Sequence, residues 1–154
     1  MSDARWADIE ADTASAVNHF SQAGRIYREA GLHEDTPDGY VRRMAFMRAV
    51  FAGHSSLEKA LLRILDIQGD EAPSGRQWHA DLVQRSGRAV RHRPAILPDN
   101  LVRAADRTRK FRHVAAHAYD TFDPEDADPA VRAADKLASG FAGAIAAYRQ
   151  AIDP

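Results

Sequence analysis

Residues 109 to 120, Arg-Lys-Phe-Arg-His-Val-Ala-Ala-His-Ala-Tyr-Asp, gather two arginines, two histidines and a tyrosine around three alanines. Arginine stays charged at any relevant pH, and its planar fork can hold two oxygens of one phosphate. Histidine exchanges a proton near neutrality, as cleavage of a phosphodiester by a neighbouring 2'-hydroxyl requires. Each helical residue turns by about 100°. With Arg112 at zero, Tyr119 then falls at roughly -20°, Ala116 at 40°, Arg109 at 60°, His113 at 100° and His117 at 140°. Val114, Ala118, Phe111 and Ala115 fall between about 200° and 300° and are expected to pack inward. The ionisable side chains should share one broad face, with Ala116 leaving a shallow groove between polar walls. One helix offers one Arg–His pair, whereas acid–base cleavage wants both a proton acceptor and a donor. Two copies of the face meeting across a twofold axis would supply them.

Other pairings compete with this one. His113 and His117 also stand at metal-ligand spacing, but Val114 occupies the place where a zinc protease carries glutamate. With no cysteine and no obvious third ligand, neither a metal nor a cofactor is expected. Arg107 with His113 makes a second frame, in which Arg107 falls near 220°, on the packing side. Arg109 is a candidate accessory phosphate contact or a solvated arginine. His54 and Glu58 lie one turn apart on an otherwise apolar helix, either as a surface pair or as a clamp behind Arg112. The connector carrying Arg88, Arg91, His92 and Arg93 is either a patch for an RNA backbone, with Arg91 as a candidate contact, or a solvated loop.

Helical periodicity dominates the elements that must position these residues. A first helix is expected over about 3–30, with Trp6, Ile9, Ala16, Val17, Phe20, Ala23 and Ile26 or Tyr27 available for its buried stripe. A second, the most apolar, is expected over about 40–67, with Met44, Met47, Val50, Phe51, Leu57, Leu61, Ile64 and Leu65. A short helix over about 78–88 follows a Gly- and Pro-containing loop, and Trp78 there suits core packing. The fourth runs to about 119 with Asp99 or Asn100 as cap. The last opens at Asp128-Pro129 and runs to about 151, burying Val131, Leu137, Phe141, Ile145 and Tyr148. Four long helices and one short one in a single domain predict an all-α, antiparallel up-down four-helix bundle.

Composition narrows the function. At 154 residues, 45% hydrophobic and 28% charged, the chain suits one globular domain. A net charge of -1 gives no bulk attraction to nucleic acid, so any polyanion site must be a local patch. The absence of cysteine excludes thiol chemistry. No basic-then-apolar leader and no run of about 18 apolar residues is visible, so a cytoplasmic protein with no membrane association is expected.

Arg112 through Tyr119 resembles the Arg-X4-His-X-Tyr signature of HEPN-domain ribonucleases, in particular the HepT-like toxins. Residues 73–83 and 93–123 are similar in order and spacing to a HepT-like subfamily, and the likeness spans roughly residues 40 to 150. Glu58, Trp78 and His79 also fall on positions that recur there. The resemblance implies a homodimer whose two motifs face a shared cleft and cut RNA without a metal. Arg112 would bind the scissile phosphate, His117 would transfer protons and His113 would orient the phosphate. It further implies a type VII-style toxin–antitoxin pair. The partner, a small nucleotidyltransferase antitoxin, would attach AMP to Tyr119 and so place negative charge near Arg112. A catalytically inert HEPN interaction module is the rival expectation.

Overall fold

The most apolar segment begins where its backbone can be capped. The side chain of Thr36 accepts a hydrogen bond from the Gly39 N–H at 3.0 Å, and Pro37 occupies the first turn, so α2 spans Pro37–Ile67. It starts before the expected Tyr40 because the Thr-Pro pair, rather than the first apolar residue, sets the boundary. The computed structural model describes residues 4–29, 31–117 and 123–153, and the side chains of all these except 117, 124 and 126.

The remaining helices are α1 (Ala4–Arg28), α3 (Trp78–Ser86), α4 (Asp99–His117) and α5 (Pro124–Ile152). Asp99 lies inside the first turn of α4 rather than capping it, where its charge still complements the helix dipole. Two Asp-Pro pairs could have opened α5, and the earlier one does. Asp123 accepts the Glu125 N–H at 2.9 Å, and Pro129 sits inside the helix, against the expected start at Asp128. Pro129 forfeits one bond, to the carbonyl of Glu125, whose residue is exposed.

Pairs that join the helices fix the topology. Ser15 meets Ser56 at 3.0 Å and Asp12 meets Arg63 at 2.7 Å, so α1 and α2 run antiparallel. Glu10 with Arg149 and Tyr27 with Asp128 do the same for α1 and α5. His54 reaches Thr108 while Phe46 packs on Phe111, setting α2 against α4, and Leu101 lies against Gly140 of α5. The result is an up-down four-helix bundle with α3 laid across α2 and α4. Among the described residues there is no strand, only an isolated bridge between Val90 and Arg93.

Phe20, Phe46, Leu57, Leu61, Ile64, Leu137 and Phe141 form the fully buried centre. The expected stripes of α1, α2 and α5 face it, with Val17, Ile26, Tyr27 and Met44 only partly buried against it and Phe51 half-buried outside it. Gly53 lets α1 approach α2 closely, since a Cβ there would lie 2.8 Å from the Phe20 ring. No helix among the described residues is long and apolar enough to cross a membrane.

Candidate functional site

Helix α4 buries Leu101, Ala104, Ala105, Thr108 and Phe111. These centre roughly 40° from Arg112 on the helix circumference, so Arg112 borders the buried stripe instead of sharing the face of His113. Arg112 is half-buried and His113 exposed. The Arg112 guanidinium stands over the Phe51 ring of α2, 4.6 Å from its centroid, and its buried Nε has no acceptor among the described residues. Arg48 approaches the same ring at 5.2 Å. Such cation–ring contacts stabilise each guanidinium by only about 0.5–1 kcal/mol. They orient a cation without neutralising it. Beside them opens a groove of ≈ 410 Å³ lined by Met44, Met47, Arg48, Phe51, Ala115 and Ala116. Ala116 does leave space there, but the walls are mostly apolar and come from α2.

A buried polar chain stands behind this arginine. His54 Nδ1 lies 2.8 Å from Thr108 Oγ1. Its Nε2 lies 3.3 Å from Glu58 Oε2, within ion-pair reach but off line for a good hydrogen bond, and has no other acceptor. Glu58 Oε2 also accepts from His79 Nδ1 at 2.5 Å. Burial pushes the Glu58 carboxyl up, yet the donors on His54 and His79 outweigh it and hold it below the usual carboxylate range. Burial pushes the His54 imidazole down, Glu58 opposes this, and the Arg112 charge adds to the lowering. A neutral His54 beside an ionised Glu58 carries its proton on Nε2, so the one hydroxyl proton of Thr108, which also lies 3.1 Å from the Ala105 carbonyl, is shared between that oxygen and Nδ1. His54 and Glu58 are therefore not a surface pair. With Thr108 and His79 they pin α2 to both α3 and α4.

The other sequence candidates are dispersed. His117 is the last residue of α4, and its side chain lies outside the description, as does Tyr119 altogether. Arg109 is engaged by Asp106, Nε to Oδ1, at 2.9 Å. Arg91 is exposed in the connector ahead of α4 and does not line the groove at Arg112. Arg93 in the same connector is buried, donating to Asp70 at 2.7 Å and to the carbonyls of Arg85, Arg88 and Pro94. Arg107 is exposed, contrary to its expected place on the packing side. Among the described residues no three His, Asp or Glu side chains converge as a metal-ligand set.

Sequence reasoning overlooked Thr108 and assigned Phe51 only to the core. The signal for the His54–Glu58 pair was present, because Val50, Leu57, Leu61 and Leu65 draw a stripe that runs through both positions. No curated protein and no solved structure matches the chain. A family model described as HepT-like protein matches residues 45–152, a span that takes in α3, α4, α5, α2 from residue 45 onward, and the Arg112 site except Met44. A helical bundle with this arginine half-exposed on α4, matched over most of its length, belongs to the HepT-like family.

Proposed function

We propose that the chain is a metal-independent endoribonuclease toxin acting as a homodimer. The observation that carries this reading is Arg112, a guanidinium held by an aromatic ring and bordered by an open groove, with no carboxylate among the described residues to neutralise it. Such a group is set to bind an anion. Arg112 holds the scissile phosphate while His117, five residues on, exchanges protons with the attacking 2'-hydroxyl or the leaving 5'-oxygen. His113 orients the phosphate from the solvent side. The products are a 2',3'-cyclic phosphate and a free 5'-hydroxyl, so atoms and charge balance without water or metal.

The dimer brings a second motif to the same strand. In support, Tyr40 and Val41 are exposed and continue the helical face of α2 that carries Met44 and Phe51, giving an uncovered apolar strip beside Arg112. A second protomer seated there would enclose the cleft. Regulation falls to a nucleotidyltransferase partner that attaches AMP to Tyr119. Induced expression arrests growth in this reading, and co-expression with the partner restores growth and adds the mass of AMP to the peptide containing Tyr119. Growth unaffected by expression would leave the inert interaction module as the better description.

A further inference from the structure

On the flank of α4 away from Phe51, a second groove of ≈ 550 Å³ separates α4 from α5. Arg103 and Arg107 stand one turn apart on one wall, Arg132 and Lys136 one turn apart on the other, over a floor that includes Ala104 and Ala133. With Leu101 against Gly140, the antiparallel register brings Arg103 to within about 3 Å along the axis of Lys136, and Arg107 likewise of Arg132. Like charges one turn apart on a helix repel, so the arrangement is mildly unfavourable unless an anion lies between the rows. The acids at hand are already engaged: Asp135, which also lines the groove, by Arg28 of α1, and Asp128 by Arg132 at 2.9 Å. Arg103, Arg107 and Lys136 have no ion-pair partner among the described residues, although the chain has 22 acidic residues against 21 Lys and Arg.

The form of the patch selects its partner. Successive cations on each wall are about 6 Å apart along the axis, a repeat suited to consecutive phosphates of an extended strand. The floor is alanine and proline, without the large apolar side chains that anchor a protein interface. The exposed arc of α4 between the two grooves carries Arg109, His113 and Lys110, and its one acid, Asp106, is held by Arg109 and Lys110. We infer that the α4–α5 groove is a second, sequence-independent site for the backbone of single-stranded RNA. It holds the strand that flanks the phosphate at Arg112, with the basic arc of α4 as the path between them. The choice of RNA as polyanion rests on the function proposed above; the groove's electrostatics do not.

The test is fluorescence anisotropy of the full-length protein with a short labelled oligouridylate over a salt series, comparing wild type with Arg107→Glu/Lys136→Glu and Arg107→Gln/Lys136→Gln. Both positions are exposed, and circular dichroism checks that each variant folds. Removing two phosphate contacts lowers the slope of log K against log salt by about 1.4 and weakens binding at low salt by about tenfold or more, with the Gln pair intermediate. Arg112→Ala abolishes cleavage but keeps most of this salt dependence. An unchanged slope in both folded variants, or wild-type protein that binds polyglutamate and not oligouridylate, overturns the proposal. Loss of RNA binding in the charge-reversed variant of a protein that never cleaves RNA would keep the groove and discard the nuclease.

Discussion

Replacing Glu58 by alanine tests whether the buried polar chain behind Arg112 holds the site together. Glu58 is 4% exposed, and it is the one carboxylate facing the Nε2 of a His54 that is itself fully buried. Truncation removes the charged hydrogen bond to half-buried His79, at about 1.5–3 kcal/mol, and the carboxylate that faces the His54 N–H, whose off-line contact contributes about 1 kcal/mol more. A total near 3 kcal/mol in a chain of this size lowers Tm by about 6–12 °C. A surface i,i+4 pair would contribute only a few tenths of a kcal/mol, or roughly 1 °C. Thermal melts followed by circular dichroism at neutral pH separate the two cases. Glu58→Gln, whose amide oxygen can take the place of Oε2 but carries no charge, should fall between wild type and Glu58→Ala. The gap between wild type and Glu58→Ala narrows in acid. A carboxylate held below its usual range stabilises fully above about pH 4.3 and ceases to do so as pH falls through its folded value. A shift of 1 °C or less at neutral pH would refute the reasoning.

His54 gives the opposite chemistry with the same direction in pH. Because burial keeps it neutral, its contribution is complete above about pH 6.5 and declines below, where the unfolded chain takes up a proton that the folded one refuses. Urea denaturation at several pH values should show that slope in wild type and lose it in His54→Gln. Gly53→Ala places a methyl 2.8 Å from the buried Phe20 ring and should cost about 1–3 kcal/mol by the same denaturation, despite the better helix propensity of alanine. Arg93→Ala frees Asp70 and three carbonyls, so it should lower stability by about 3 kcal/mol while Arg91→Ala leaves the melt unchanged.

The bundle was legible because long apolar stripes with a 3.6-residue period have few alternatives, and α1, α2 and α5 turn the expected residues inward. The helix starts were less so. Thr36-Pro37 and Asp123-Pro124 are local capping chemistry, and the second of two identical Asp-Pro signals has no local mark showing that it lies inside a helix. Arg112 was singled out by type and spacing, yet the wheel placed the packing side wrongly. The inward face of α4 is set by where α2 and α5 lie, which its own alanine-rich sequence barely constrains. The polar chain was hidden for another reason. A histidine and a glutamate on an apolar stripe suit either surface or core, and only Thr108 and His79, 54 and 21 residues from their partners, decide for the core. The α4–α5 groove likewise needs two helices distant in sequence.

The most direct measurement is the initial rate of RNA cleavage by purified protein in excess chelator, for wild type, Arg112→Ala and His117→Ala, with folding checked by circular dichroism. Cyclic phosphate ends from wild type and a loss of about a hundredfold or more in each variant are expected, the size associated with a lost transition-state charge contact or proton-transfer group. Folded variants that cut RNA as fast as wild type, or a wild type whose cleavage the chelator abolishes, would contradict it.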